Sequence, residues 1–345
     1  MIEKIKQKYA PNLTQGVISG LMFAIYLWIF AMIVSWLLID ATFVGDAGVC
    51  READGACWPF LLEKYVYILF GVYPRSELWR PIVGLILVAG FWFHFTQKKN
   101  WNKFLLIKFP IIFLFYYFLL KGGVFLSNVD NHKWGGLPLT ILLSGVGIVV
   151  SYPLGILLAL ARRSHSKFIS VPVVCYIEII RGVPLISILF MSSVMLPLFL
   201  PQDLVIDKLL RAQVAIILFS AAYFAEVVRG GLQGIDHGQE EAAKALGLNY
   251  VQTQLHIILP QALVKVIPPT VNTMIGMFKD TSLVIVIALF DLMGTAKSSL
   301  TDASWLGFSI EAYLFIAVIY FVICFSMGRF SKRVEEEFKL SKERN

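Results

Sequence analysis

Two adjacent ionisable residues, Lys279 and Asp280, stand inside the apolar run Leu263 to Phe290 and are followed at once by two hydroxyls, Thr281 and Ser282. A charge at bilayer depth costs about 2.5–3.5 kcal/mol on insertion scales, so an acid and a base there call either for a partner charge or for a polar solute. Neighbouring positions on a regular helix point about 100° apart, which keeps both charges from one narrow seam unless the helix breaks. Thr281 and Ser282 can bond the backbone groups that such a break frees. The spacing therefore predicts an unwound turn in which Lys279 suits a carboxylate and Asp280 an ammonium, with a mutual or intersubunit ion pair as the competing expectation.

Other chemistries find little support. No Gly-x-x-x-x-Gly-Lys-Ser/Thr run is present, so an ATP-driven process needs its ATPase on a second polypeptide. His94, His132, His165, His237 and His256 show no ligand spacing with Cys, Asp or Glu, which argues against a metal site. A Gly-x-Ser-x-Gly nucleophile motif is missing as well. Glu178 and Arg181 stand three apart on one helical face, where an ion pair at a helix end and a role in transport are equal expectations; Glu226 and Arg229, also three apart, are expected to pair in preference to a substrate contact by Glu226.

The elements that carry these residues belong to a membrane protein. The 345-residue chain is 58% hydrophobic and 15% charged, against about 25% charged in soluble domains. Its net charge of +7 resides in short Lys and Arg clusters between apolar runs, which fits positive-inside topology and not nucleic-acid binding. The expected spans are Val17–Ile39, Pro81–Phe95, Phe104–Leu120, Pro138–Ala161, Val171–Leu200, Leu209–Val228, Leu263–Phe290 and Phe308–Met327. The first is expected to stay in place, because no small-residue cleavage site follows it. About eight spans put both termini on one side. Lys4, Lys6 and Lys8, then Lys98, Lys99, Lys103 and Lys108, then Arg162, Arg163 and Lys167, and the tail from Arg329 mark that side as cytoplasmic. Tyr65–Tyr73 is too short to span and reads as interfacial or re-entrant. Residues 40–80 then lie outside, where Cys50 and Cys57 are either a disulfide or two free thiols. The seam near residue 130 separates an extension, 1–130, from a core, 131–345, and no soluble domain of any size is expected.

Within the core, residues 229–262 form one long polar loop. Asp236 with Gln239 has capping-box spacing, Gly247 stands where a helix ends in a left-handed turn, and Asn249 with Gln252 repeats the start signal. Pro260 is expected to stop the second helix. Ala242, Ala245 and Leu246 share a narrow face of mostly small side chains.

The pattern Glu241-Ala242-Ala243, then Gly247, then nine residues, then Ile257-x-Leu259-Pro260 resembles the EAA loop in membrane subunits of ABC-type importers. Arg181-Gly-Val-Pro-Leu185, Ala221-Ala-Tyr-Phe-Ala-Glu226, Arg229-Gly-Gly231, Leu259-Pro-Gln-Ala262 and Lys279-Asp-Thr-Ser-Leu283 resemble the motif run of polar amino acid uptake permeases, over about residues 138–294. The added amino-terminal spans are most like those of the M-type permease of general L-amino acid transporters, although the extension itself carries no motif.

The resemblance implies an all-α polytopic protein of the bacterial inner membrane, with the type I importer permease fold in a carboxy-terminal five-helix core. It implies that Glu240, Glu241, Ala242, Ala243, Ala245, Leu246, Gly247 and Pro260 couple to a dimer of ATPase subunits, which hold ATP and Mg. A second permease, a related but different chain, and a periplasmic amino acid binding protein complete the expected assembly, within membrane lipid. The chain itself would catalyse nothing, and Lys279, Asp280, Thr281 and Ser282 would line the path of an amino acid. A self-contained secondary transporter is the rival reading. That class usually shows inverted repeats with paired broken helices, and none is detectable in this sequence.

Overall fold

The computed structural model describes residues 13–101, 104–123, 126–164, 166–201, 204 and 206–343. Lys4, Lys6, Lys8, Lys103 and His165 lie outside them. Helices run along the chain as α1 Leu13–Val34, α2 Ala47–Glu52, α3 Trp58–Phe70, α4 Trp79–Phe95 and α5 Leu105–Lys121. There follow α6 Gly136–Arg162, α7 Lys167–Gly182, α8 Leu185–Phe190 with its continuation to Phe199, α9 Lys208–Gln233 and α10 His237–Ala245. The last are α11, which starts at Tyr250–Gln252 and resumes as Leu259–Lys265, then α12 Ile267–Asp280, α13 Leu292–Ser299 and α14 Ser309–Glu343. Among the described residues no strand forms beyond two isolated bridges, Thr42 with Cys57 and Gly136 with Asp291.

Among the described residues six helical segments are long and apolar enough to cross a membrane: Thr14–Ile39, Arg75–Phe95, Gly136–Arg162, Lys208–Gln233, Ile267–Ile287 and Ser309–Glu337. The expected span Val171–Leu200 is a pair of helices bent by 103°. Val183 is extended there because it precedes Pro184, whose ring disfavours helical backbone in the residue before it. α5 has 17 residues, the short end of the spanning range of about 17–25. The helix that carries the last span does not stop at Met327. It continues to Glu343, because the Lys-, Arg- and Glu-rich tail is made of good helix formers.

The chain divides into two compact units, residues 1–65 with 300–315, and residues 66–299 with 316–345. In the first, Cys50 and Cys57 form a disulfide, with Cα atoms 5.5 Å apart. Asp46 caps α2 by accepting from the Gly48 and Val49 amides. Phe60 lies against Trp305 and Phe308, with ring centroids 5.8 and 6.1 Å away. Lys64 binds Asp302 at 2.6 Å and Glu63 at 2.9 Å, and these hydrogen bonds hold both carboxyls below the usual carboxylate range.

In the second unit the core forms where α6 and α9 lie closest. A Cβ on Gly155 would stand 2.5 Å from Phe224 and 3.1 Å from the Ala221 carbonyl, so a larger residue would force the helices apart. Ala221, Ala222 and Ala225 are buried on the facing side, the small-residue seam by which membrane helices approach without a hydrophobic driving force. Asp207 starts α9 by accepting from the Leu209 and Leu210 amides.

Candidate functional site

The polar loop folds largely by rules local to itself. Asp236 accepts from the Gly238 amide at 2.7 Å and starts α10. The expected capping box with Gln239 does not form, because the Gln239 side chain turns away to accept from Gln261 at 3.1 Å. α10 ends as predicted: Gly247 has φ +75°, its amide donates to the Lys244 carbonyl, and the Leu248 amide donates to that of Ala243. Asn249 and Gln252 form the reciprocal box, with bonds of 2.9 and 3.0 Å. Pro260 does not stop α11. A π turn over Thr253–Ile258 widens the helix just ahead of it, and the path resumes as Leu259–Lys265. In that wider turn the hydrogen-bond ladder is already changing step, so the proline's missing donor is accommodated.

α10 is held from one side. Ala243 is buried, and Ile235, Ile258 and Ala262 pack with Ala159, Val228 and Leu232 of α6 and α9. Arg163, just past α6, donates to Glu240 at 2.8 Å, and Gln254 of the π turn donates to the same carboxylate at 3.3 Å. The other side is open: Glu241, Ala242 and Ala245 are exposed, and Leu246 is 80% exposed. A polar loop thus presents a short helix with an apolar edge that this chain does not cover.

Beside it a charge cluster ties three helices together. Glu226 of α9 accepts two bonds from Arg229, one of them at 2.9 Å, and also meets Arg162 of α6 at 3.3 Å and Arg181 of α7 at 3.5 Å. The ion pair of Glu178 with Arg181, one of the two readings of that spacing, is not made. Glu178 bonds Arg162 at 3.0 Å, while Arg181, at the end of α7 where the chain bends, turns to Glu226 and lies over the Tyr223 ring. The expected pair of Glu226 with Arg229 is present.

The predicted turn at Lys279 takes a milder form. α12 ends at Asp280 and tightens into a 3₁₀ helix over Thr281–Ile287, without unwinding. Thr281 is buried and its hydroxyl bonds the Phe278 carbonyl, as a helix change requires. Lys279 is exposed, Asp280 and Ser282 are half-buried, and no ion pair joins Lys279 to Asp280. Among the described residues no group of three or more His, Cys, Asp or Glu side chains is placed to hold a metal ion.

Residues 151–338, which contain the charge cluster, the loop and the Lys279 turn, match the family described as binding-protein-dependent transport system inner membrane component. The chain belongs to that family. The permease is 46% identical over 312 residues to the inner membrane amino-acid ABC transporter permease protein YhdY of Escherichia coli K12, covering 89% of this chain and 84% of that one. It is 35% identical to the glutamate/glutamine/aspartate/asparagine transport system permease protein BztC of Rhodobacter capsulatus, over 95% of this chain and 91% of that protein. A solved structure described as an amino acid ABC transporter with histidines superposes with a TM-score of 0.53 at 31% identity, covering 59% of this chain and 92% of its own. The chain is therefore a membrane-embedded transporter subunit and not an enzyme.

Two further structural devices hold polar groups inside the permease. Asp291 is fully buried, accepts from the Gly294 amide at 2.9 Å and receives the Tyr320 hydroxyl at 3.3 Å. Arg80, also buried, bonds Glu77, the Ser127 carbonyl and the Ser127 hydroxyl. A lone Asp names no partner until the chain folds, whereas Glu77 and Arg80 stand three apart, the same spacing as Glu226 and Arg229.

Proposed function

We propose that this permease imports amino acids from the periplasm to the cytoplasm by alternating access, driven by ATP hydrolysis in a separate pair of ATPase subunits that hold ATP and Mg. The observation that carries the reading is the α10 helix, braced from within through Glu240 and Ala243 yet leaving Leu246 80% exposed on a polar loop. In this proposal Glu241, Ala242, Ala245 and Leu246 seat in a cleft of the ATPase, Gly247 sets the exit turn, and Pro260 with its π turn keeps α11 aligned behind it. Movement of the seated helix passes to α6 and α9 through Arg163 and to α7 through the cluster around Glu226. A second, related permease and a periplasmic amino acid binding protein complete the transporter. Both termini face the cytoplasm, and the boundary near residue 130 separates an added amino-terminal part from the five-helix core. At the end of α12, Lys279, Asp280, Thr281 and Ser282 line the path or its gate.

The names of the relatives support amino acids as the cargo class. Uptake of labelled amino acids into membrane vesicles carrying the whole transporter tests the reading. Transport should need internal ATP and the ATPase subunit; uptake on an ion gradient alone would overturn it and favour a secondary transporter.

A further inference from the structure

An elongated cavity of about 620 Å³ lies among α4, α5, α6, α12 and α14, within the size range of roughly 300–1,000 Å³ typical of ligand sites. Among the described residues no charged side chain lines it. Two of its hydroxyls are turned back to their own helices, Ser144 to the Thr140 carbonyl and Ser326 to that of Ile323. The lining also carries the Tyr152 and Thr270 hydroxyls, but with no ionised group beside them the cavity offers no counter-charge to an amino acid's ammonium and carboxylate. Along α6 the lining runs as one stripe from Leu137 to Tyr152, 15 residue steps or roughly 22 Å at 1.5 Å per residue. That exceeds one leaflet of a hydrocarbon core of roughly 30 Å and suits a single extended chain.

The two ends differ. At one, Trp92, Phe95, Trp101, Phe109 and Phe330 form a connected aromatic cluster, with Phe95 4.9 Å from Phe109, 5.0 Å from Phe330 and 6.1 Å from Trp101. Trp101 folds over this end, its indole donating to the Phe95 carbonyl at 2.8 Å. The chain next to these rings is basic: Lys99 and Lys108 are exposed, and Arg329 and Arg333 are exposed next to the lining residues Phe330 and Val334. Lys98 is bonded to Glu337, and Glu335 and Glu336 are the other acids on this stretch of α14, so the bases outnumber the acids. An apolar groove closed by tryptophan and rimmed by cations matches a lipid tail below a negative headgroup.

We propose that this cavity binds one acyl chain of an anionic phospholipid, with the headgroup held at the Lys98, Lys99 and Lys108 end. The test places a photoreactive benzoyl-phenylalanine at Val149, which lines the cavity, or at Phe325, which is 54% exposed on α14 and outside it. Each variant is assembled with its partner permease and ATPase, reconstituted in phosphatidylcholine vesicles with or without phosphatidylglycerol, extracted, washed in detergent and illuminated. The expected result is a phosphatidylglycerol adduct at Val149 that survives washing and is at least several-fold stronger than at Phe325. Changing Lys98, Lys99 and Lys108 together to Gln should lower that capture several-fold. Equal capture of phosphatidylcholine by the unaltered rim would overturn the proposal, as would an adduct with a peptide of either permease, or no adduct at Val149. The comparison of vesicle compositions needs no charge variant, so a failure of the triple variant to assemble leaves the proposal testable.

Discussion

Among the described residues Glu226 carries the densest charge contacts, with Arg162, Arg181 and Arg229 converging on one carboxylate that is 23% exposed. Hydrogen bonds to ionised groups contribute about 1.5–3 kcal/mol each, yet these share one acceptor and are not additive. Glu226→Gln leaves the three guanidiniums facing a neutral amide, and an expected loss of about 1–3 kcal/mol follows. Glu178, 54% exposed and bonded to Arg162 alone, belongs with surface ion pairs worth about 0–1 kcal/mol. Thermal unfolding of the assembled transporter should therefore rank Glu226→Gln well below Glu178→Gln, and equal midpoints would show that the cluster does not brace α6, α7 and α9.

The loop between α9 and α12 separates local folding from partner contact. Gly247 adopts a left-handed conformation with nothing within 4 Å of a Cβ built on it, so a side chain there meets strain without a clash. Gly247→Val is expected to cost on the order of 1–2 kcal/mol locally and to misplace the end of α10. Leu246→Glu changes an exposed side chain and leaves the turn intact. Both variants should insert into the membrane normally and lose ATPase subunits on copurification. Retention of the ATPase by Leu246→Glu would remove the exposed edge from the coupling contact, whereas retention by Gly247→Val alone would only show that the turn tolerates strain.

Across the whole molecule, topology is the property that joins the disulfide to the proposed direction of transport. The Cys50–Cys57 bond closes a small loop, for which chain entropy alone gives about 2.5 kcal/mol. Spheroplasts treated with a reductant and then with a membrane-impermeant thiol reagent should be labelled at Cys50 and Cys57. Cys175 lies within the α7 and α8 pair and should stay unlabelled. Labelling that appears only after permeabilisation would place the first unit on the cytoplasmic side and reverse the assigned orientation.

Much of this fold was legible in the chain because its signals are short in range. Spans follow from apolar runs that must satisfy their own backbone in lipid, and the Gly247 turn and the Asn249–Gln252 box involve residues within five positions of each other. The EAA-like loop thus reads as helix, glycine turn and helix from these local signals alone. What the tertiary structure alone decided are choices among partners distant in sequence, as Arg181 leaves Glu178 for Glu226 and Gln239 leaves its own helix end for Gln261, and also the choice between thiols and a disulfide at the nearby Cys50 and Cys57. Pro260 belongs to the same class. Its propensity says stop, but Ile258 and Ala262 are buried against α6 and α9, and that burial favours a widened turn over a broken helix. Charge, amide and thiol chemistry set which contacts were possible, and only the approach of whole helices selected among them.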